Sequence, residues 1–300
     1  MLRVLHFSDV HVDVAFGELP VASMFNKRLL GAANLLLRRK HRFADARQKL
    51  EALAAFARDQ HVDLVVSTGD FTALGTHPEL RSALEATAGL RDQPLGFVAV
   101  PGNHDVYMPD TIADGRFEQY FGEFARTDLP ELSAAGQGAW PFVRLFGDEL
   151  AVVGINSARP NPQPWRSSGR IPDAQLTALP AILADARVQG RFVLVLTHYA
   201  PRRADGSHDD FSHGLENADE LLAACRGMGH GALLHGHIHE RFHLEAEGVA
   251  VFGAGSTTDG GKPGGLWLFE LEDGSARAVP GRWEGDGFAL CAADAVDLSV

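Results

Sequence analysis

The sequence contains only two cysteines, Cys225 and Cys291, which are far apart and outside any CxxC motif. This spacing argues against a zinc finger and against a disulfide framework. No apolar stretch approaches the roughly 20 residues that a membrane-spanning helix needs. The N-terminal residues, MLRVLHFSDVHVD, also lack the long apolar segment of a secretory signal. We therefore expect a soluble, cytoplasmic protein.

An excess of basic residues is missing as well. The formal net charge is −12, from 27 Lys and Arg against 39 Asp and Glu. Non-specific binding to nucleic acid depends on a basic surface, so the charge argues against a nucleic-acid partner. It remains compatible with a small anionic substrate, because a bound metal ion can outweigh the global field at its own site.

The chain has 300 residues, of which 45% are hydrophobic, and this is enough for a large packed core. In the first hundred residues, apolar runs at 2–7, 62–67 and 95–100 alternate with helical patterns at 44–60 and 78–90. This order predicts parallel βαβ units and therefore an α/β fold.

The second half of the chain predicts further strands and helices. Two runs at 140–146 and 149–156 indicate a hairpin, and residues 171–189 indicate a helix that Pro180 should kink. After them, the pattern predicts a strand at 191–197, a helix at 215–228, a strand at 231–236 and then antiparallel strands. With neither an internal repeat nor a low-complexity linker, residues 1–300 are interpreted as a single domain with a short C-terminal tail from about 285.

Polar side chains that can bind metals stand at the ends of five predicted strands. They are Asp9, His11, Asp70, Asn103, His198, His237 and His239. Loops at the carboxyl ends of strands converge in α/β sheets, so these residues can meet although they are far apart in sequence. Taken singly, each has a structural explanation, such as a turn for Asn103, a helix cap for Asp70 or core packing for His198. Their joint occurrence at strand ends indicates one shared site.

This combination of imidazole and carboxylate groups suits zinc, iron, manganese and nickel. Seven ligands are more than one such ion takes from a protein, whereas two ions that share a bridging carboxylate would use them all. Two-metal sites with ions about 3.5–4 Å apart are typical of hydrolases that transfer phosphoryl groups. The ligand set therefore predicts a two-metal site for a phosphoester substrate.

Five short motifs resemble, in sequence and in order, those of the calcineurin-like metallophosphoesterases. They are DVH (9–11), GD (69–70), GNHD (102–105), TH (197–198) and GHIH (236–239). The resemblance covers about residues 2–255. It implies the metallo-dependent phosphatase fold, a four-layer α/β/β/α sandwich of two mixed β-sheets flanked by helices. It also implies two divalent or trivalent metal ions (Mn, Fe or Zn) as cofactors.

The same resemblance implies a role for each motif residue. The implied ligands of the first metal are Asp9, His11 and His239. The implied ligands of the second metal are Asn103, His198 and His237. Asp70 would bridge the two metals, and His104 would be the catalytic residue, stabilising the transition state and protonating the leaving oxygen. Asp105 would orient its loop by accepting hydrogen bonds.

The motifs also indicate a branch of the family. The sequence has GDFTALG and GNHD where protein Ser/Thr phosphatases carry GDxVDRG and GNHE, and it looks closest to the bacterial phosphodiesterase-like members. The implied function is hydrolysis of a small phosphodiester by in-line attack of a metal-bridging hydroxide. The alternatives are a phosphomonoesterase and, in a different class, a non-catalytic scaffold that binds a partner or a membrane surface.

An insertion at about residues 14–43 distinguishes the chain from the usual cyclic-nucleotide phosphodiesterases. Within it, residues 25–43 have the pattern of a basic amphipathic helix. Its apolar face either covers the domain's own core or contacts an anionic membrane surface or a partner. Three further histidines are predicted outside the ligand set: His6 and His235 in the interior, and His213 on the surface or in a loop that reaches the site.

Overall fold

The structure is a computed structural model that describes residues 1–12, 14, 28–29, 41–163, 165–272 and 274–298. Two β-sheets pack face to face and helices cover their outer faces. The predicted four-layer α/β/β/α sandwich, the metallo-dependent phosphatase fold, is confirmed. Most of the insertion at 14–43 lies outside the described residues.

The strands of the described residues follow the sequence prediction closely. They are β1 (Leu2–Phe7), β2 (Leu64–Ser67), β3 (Gly96–Ala99), β4 (Phe142–Phe146), β5 (Leu150–Gly154), β6 (Phe192–Leu196), β7 (Gly231–His235), β8 (Arg241–Ala246), β9 (Val249–Ala254), β10 (Gly265–Glu272), β11 (Ser275–Trp283), β12 (Phe288–Leu290) and β13 (Val296–Leu298). The α-helices are α1 (Ala46–Asp59), α2 (His77–Ala86), α3 (Ala88–Arg91), α4 (Pro109–Ala113), α5 (Arg116–Phe121), α6 (Asp173–Ala184), α7 (Ala186–Gln189) and α8 (Ala218–Cys225).

Both sheets are mixed. In the first, the strand order is β12-β11-β10-β1-β2-β3, and β13 also pairs with β11. Here β1, β2 and β3 are parallel, whereas β10 and β11 are antiparallel to their neighbours. In the second, the order is β4-β5-β6-β7-β9-β8, with β5, β6, β7 and β9 parallel. The parallel strands bring their carboxyl ends to a common edge, where the site lies.

The alternation of side chains along β6 shows how the layers are built. Val193 and Val195 point to the outer face, where they share a core with residues of α6 and α8. Leu194 and Leu196 point the other way, into the core between the two sheets. Successive side chains of a strand face opposite sides, so an all-apolar strand can join two cores.

Two predicted helices differ in detail from the structure. The helix predicted at 171–189 continues through Pro180 and is interrupted at Asp185, where the backbone is extended and the carboxylate caps α7. The helix predicted at 78–90 is divided at Thr87 into α2 and α3. The segment assigned to a C-terminal tail contains β12 and β13, which pair with β11.

Only a few residues of the predicted basic helix at 25–43 are described. Arg28 does not face solvent: it is 1% exposed, and its two terminal nitrogens donate to Asp110 at 2.9 and 3.0 Å. Its Nε donates to the carbonyl of Leu74 at 3.0 Å. Arg28 therefore attaches the insertion to the domain instead of contributing to a basic outer surface. Within the described parts of the chain, no helix has the length and apolar character needed to cross a bilayer.

The two histidines predicted in the interior, His6 in β1 and His235 in β7, are fully buried. Among the described residues, Nδ1 of His6 and Nε2 of His235 have no hydrogen-bond partner. Burial, together with the neighbouring His235, lowers the pKa of His6 to about 3. Burial also lowers the pKa of His235 to about 4. Both rings are therefore neutral at neutral pH.

We expect the protein to lose stability as the pH falls below about 6.5, the ordinary pKa of histidine. The unfolded chain then binds a proton at His6, whereas the folded protein does not bind it until about pH 3. The free energy of unfolding should decrease on acidification by up to about 1.4 kcal/mol per pH unit for this residue. Urea unfolding of the metal-free protein between about pH 7 and pH 4 measures this slope.

The control for this measurement is the His6→Gln variant. Glutamine does not titrate, but it keeps a group that can hydrogen-bond to Thr68, which His6 Nε2 contacts at 3.0 Å. The variant should lose stability less steeply on acidification than the wild type. Equal slopes would contradict the assignment of a depressed pKa to His6.

Candidate metal centre

The predicted ligands have an unusual backbone conformation. The angle φ is positive at Asp9 (53°), His11 (43°), Asp70 (58°), His237 (71°) and His239 (52°). Residues other than glycine rarely adopt this region, and in the described part of the chain only two more do, His61 and Glu247. Strained residues of this kind cluster at functional sites, where the surrounding structure holds them in place.

Three glycines allow the ligand loops to pack against one another. A Cβ atom on Gly102 would lie 2.1 Å from Asp70 Oδ1, and a Cβ atom on Gly236 would lie 2.3 Å from Asp9 Oδ2. One on Gly69 would lie 2.3 Å from the backbone nitrogen of Gly102. The glycines of the GD, GNHD and GHIH motifs are therefore required by close contact, and Gly69 also by its positive φ of 95°.

The loops after β1 and β7 form the first cluster of ligand atoms. The Nε2 atoms of His11 and His239 are 3.3 Å apart, and His239 Nε2 is 3.2 Å from Asp9 Oδ1. Nδ1 of His11 is 2.9 Å from the carbonyl of Thr72, so it carries the proton and donates it there. These three residues were predicted to bind the first metal, and the structure brings them together.

A second cluster forms beside the first. Asn103 Oδ1 is 3.0 Å from His198 Nε2 and 3.1 Å from His237 Nδ1. Asp70 lies between the clusters: its Oδ2 is 3.8 Å from His11 Nε2 and 3.5 Å from His198 Nε2. All seven predicted ligands are therefore in one place, with Asp70 at the position of a bridge.

The tautomers of the second cluster show that it fits a cation. His198 Nδ1 is 2.7 Å from the carbonyl of Thr68 and His237 Nε2 is 3.0 Å from that of His213, so these nitrogens carry the protons. Burial lowers the pKa of both rings, which are neutral. The remaining ring nitrogens and Asn103 Oδ1 then face one another with lone pairs only. A cation between them would turn this repulsion into coordination. Two ligand atoms bound at about 2.1 Å lie about 3.0 Å apart in an octahedral site and about 3.4 Å apart in a tetrahedral one.

The negative charge of Asp9 also favours a bound cation. Burial would raise the pKa of Asp9, but the neighbouring His239 outweighs it and holds the pKa at about 2. Asp9 also accepts hydrogen bonds from the backbone N–H of His237 at 3.0 and 3.2 Å. The carboxylate is therefore ionised in the interior, which favours a bound cation.

Asp105 joins the loops after β2 and β3. Its buried carboxylate accepts from the backbone N–H groups of Asp70 and Gly102, both at 2.9 Å, and of Thr72 at 3.0 Å. The predicted role of Asp105, to orient the loop, agrees with these contacts. The carboxylate thereby fixes Asp70 relative to Asn103, although the two belong to different loops.

His104 lies beside this junction. Its backbone N–H donates to Asp70 Oδ1 at 2.8 Å, and its Nδ1 donates to the carbonyl of Ala73 at 2.6 Å. Its ring is 4.9 Å from the His11 ring, between centroids, and stacks on Tyr107 at 5.5 Å. The position is next to the ligand atoms, as expected for a residue that contacts the substrate.

The sequence analysis missed Glu79, which supports the loop that holds His104. Glu79 is buried and accepts from the backbone N–H groups of Ala73, Leu74 and Thr76 at 3.2, 3.0 and 2.9 Å. Thr76 and Glu79 also form a capping box at the start of α2. The TxxE spacing of Thr76 and Glu79 is the sequence signal that predicts this capping box.

Asp259 was also missed. It is 0% exposed, and its Oδ2 is 3.5 Å from His239 Nδ1. Arg42 donates to both of its oxygens, with Nε at 2.8 Å. Burial raises the pKa of Asp259, but hydrogen bonds from His239 and Arg42 hold it well below its usual range. A carboxylate behind a ligating histidine fixes the tautomer and orientation of the ring.

His213 lies at the site, which settles the choice left open by the sequence. Its ring stacks on His237 with centroids 4.1 Å apart, and its Nδ1 is hydrogen-bonded to Asp209. A cavity of about 470 Å³ opens beside these residues. Its lining includes Arg42, Arg203, Asp209, His213, His237, His239 and Lys262.

Comparison with known proteins supports this description. The model of a family described as calcineurin-like phosphoesterase matches residues 2–241. A dimetal phosphatase from Danio rerio has a similar structure, with a TM-score of 0.63 and 15% identity over 97% of this chain and 98% of the other. A purple acid phosphatase from yellow lupin has a TM-score of 0.61 and 11% identity over 99% of this chain and 53% of the other.

An anchor protein of the inner membrane complex of Plasmodium shares the fold as well. Its TM-score is 0.55 at 12% identity, over 100% of this chain and 89% of the other. At these identities the similarity concerns the fold. A search of curated protein sequences gives no significant match.

We expect Gly102→Ala to disrupt the metal centre. The added methyl group would overlap Asp70 Oδ1, so Asp70 or the GNHD loop must move. Metal content after reconstitution, measured by atomic emission, should fall well below that of the wild type. Gly287→Ala is the matched control, since a Cβ atom there meets no heavy atom within 4 Å. Full metal loading of the Gly102 variant would contradict the proposed contact between the loops.

Asp259→Asn should weaken metal binding without unfolding the protein. Loss of a carboxylate behind a ligating histidine typically reduces metal affinity about 10- to 100-fold. Competition with a chelating dye measures this affinity. Asp297→Asn, at an exposed position on β13, is the control. Equal affinities of the two variants would show that Asp259 does not support His239.

Proposed function

This chain belongs to the calcineurin-like phosphoesterase family, and we propose that it is a dinuclear-metal phosphodiesterase acting on a small phosphodiester. The observation that carries the proposal is the pair of adjacent ligand clusters with Asp70 between them. Structural sites usually close one metal within a complete protein shell, whereas two adjacent cations are typical of phosphoryl-transfer enzymes.

The residues divide between two ions as the motifs imply. Asp9, His11 and His239 would hold the first ion, and Asn103, His198 and His237 the second, with Asp70 shared. Imidazole and carboxylate donors suit manganese, iron or zinc, and the choice among these depends on availability. When bound, the ions supply Lewis-acid charge for the phosphoryl oxygens and lower the pKa of water.

His104 is proposed as the catalytic residue beside the ions. Its contacts to Ala73 and Asp70 fix the ring, so little conformational freedom is lost when the substrate binds. Nδ1 donates to Ala73, and we assign Nε2 to the substrate. In the proposed reaction the ring enters as an imidazolium, with a proton on each nitrogen. The Nε2–H group hydrogen-bonds to the phosphoryl group and passes its proton to the leaving oxygen, and the ring becomes neutral with its remaining proton on Nδ1.

The preference for a diester rests on the motifs. GDFTALG and GNHD differ from the GDxVDRG and GNHE of protein Ser/Thr phosphatases, and the sequence looks closest to the bacterial phosphodiesterase-like members. The scaffold alternative is disfavoured because the complete donor set and His104 are gathered in one place. Contact of residues 25–43 with a membrane or partner, and a location in the cytoplasm, stay predictions.

Hydrolysis of bis-p-nitrophenyl phosphate by the manganese-loaded protein tests the proposal. Asp70→Asn should lose bound metal and activity together. His104→Ala should keep its metal but lose activity by about 10²- to 10⁴-fold, the usual contribution of general acid–base catalysis. Asp297→Asn should be as active as the wild type. No phosphoester turnover by the metal-loaded wild type above that of Asp70→Asn would refute an enzymatic function.

The same assay with p-nitrophenyl phosphate separates the two ester classes. A diesterase should show the higher kcat/KM on bis-p-nitrophenyl phosphate. The opposite order would establish the phosphomonoesterase alternative in its place.

A further inference from the structure

Two aromatic side chains, on loops that contact the second metal cluster, are left open to water. Trp165 is 76% exposed and Phe211 is 78% exposed, the highest values among the exposed large hydrophobic residues in the described ranges. Exposure of this much ring surface is unfavourable compared with burial. Aromatic residues so exposed on loops at an active-site edge are candidates for ligand contact.

The two loops that carry these rings are joined to each other. The backbone N–H of Ser167 donates to the carbonyl of Ser212 at 2.8 Å, and Gly169 forms a bridge with Leu215. Trp165 is two residues from Ser167, and Phe211 is adjacent to Ser212. The two rings therefore belong to one structural unit. Because the loops are paired, they cannot move independently of each other.

This unit is attached to the second metal cluster. The hydroxyl of Tyr199 donates to the carbonyl of Ser167, and the Tyr199 ring lies 4.1 Å from the His237 ring, between centroids. On the other loop, the carbonyl of His213 accepts from His237 Nε2. A substrate whose phosphorus lies at the ions would thus have the aromatic pair at the edge of the same site.

Arg166 gives the patch a planar, cationic component. Its guanidinium carbon lies 5.3 Å from the centre of the Phe211 ring, within the range of a cation–π interaction. Glu216 pairs with Arg166 and with Arg159, which restricts the movement of the guanidinium group. Flat guanidinium and aromatic groups favour a flat aromatic ligand that stacks on them, whereas an acyl chain would need an apolar groove.

We propose that Trp165 and Phe211 form a stacking site for the base of a nucleotide, and that the substrates of the metal centre are nucleoside phosphodiesters. Nucleotides combine a planar aromatic group with a phosphoryl group, and these two groups match the two parts of the site. The inference rests on the proposed function, because it is the phosphoryl group at the ions that brings the base to these loops.

Binding of adenosine 5′-monophosphate to the manganese-loaded protein tests the stacking site without catalysis. Ribose 5-phosphate, which lacks the base, is the comparison ligand. Trp165 is the most exposed of the four tryptophans, since Trp140 and Trp267 are buried and Trp283 is half-buried. Adenosine monophosphate should quench its fluorescence and should bind more tightly than ribose 5-phosphate in calorimetry. Trp165→Phe should lose the quenching and retain the affinity.

Kinetics on two p-nitrophenyl diesters test the substrate class. The p-nitrophenyl ester of thymidine 5′-monophosphate carries a base, and p-nitrophenyl phosphorylcholine has the same leaving group without one. In the Trp165→Ala/Phe211→Ala double variant, KM for the thymidine ester should rise on the order of tenfold or more, the size of base–aromatic stacking in other proteins. KM for the choline ester should not change. Leu95→Ala, at the start of β3 and far from its carboxyl end, should alter neither KM.

The outcomes separate this inference from the proposed function. Preference for adenosine monophosphate with no hydrolysis of either ester would support the base site and refute the phosphodiesterase. Hydrolysis of both esters with an unchanged KM ratio in the double variant would refute the base site alone. Equal binding of the two phosphates, or a change of oligomeric state in the double variant, would also overturn the inference, the latter because a second copy would then cover the patch.

Discussion

Several buried groups with lone pairs are held about 3 Å apart at the carboxyl ends of the strands, where they repel one another unless a cation lies between them. Asn103, His198 and His237 form the clearest case, since backbone carbonyls accept a hydrogen bond from the N–H group of each ring. The remaining features of the site serve to maintain this arrangement. Asp105 ties two loops together, and left-handed residues turn their side chains toward a common point.

Much of the fold and most of the metal ligands could be predicted from the sequence, because the ends of strands are marked by local sequence patterns. A strand ends where its apolar run ends, so Asp9, Asp70 and His198 could be assigned to strand ends without any knowledge of tertiary structure. Because sites in α/β sheets form at the carboxyl ends of the strands, the seven ligands could then be assigned to one site. The close approach of Gly102 to Asp70 joins two different loops, so the local sequence pattern could not predict it.

The residues that sequence reasoning missed act across longer distances. Asp259 follows β9 and supports His239, which precedes β8, through a carboxylate that only the folded chain brings near. The burial of Arg28 depends on Asp110, 82 residues further along, and a basic amphipathic pattern cannot show it. The helix predicted at 171–189 is interrupted at Asp185, whose side chain caps α7, whereas the sequence pattern predicted a kink at Pro180.

The final strands have a consequence for how the chain avoids self-association. β11 pairs with β10 on one side and with β12 and β13 on the other. Without residues 288–298, the outer side of β11 would present a row of unpaired backbone N–H and C=O groups, the kind of edge on which other chains add strands. Residues 288–298 thus cover both ends of the outer side of β11, and we expect their removal to lower the solubility of the protein before it affects the metal centre.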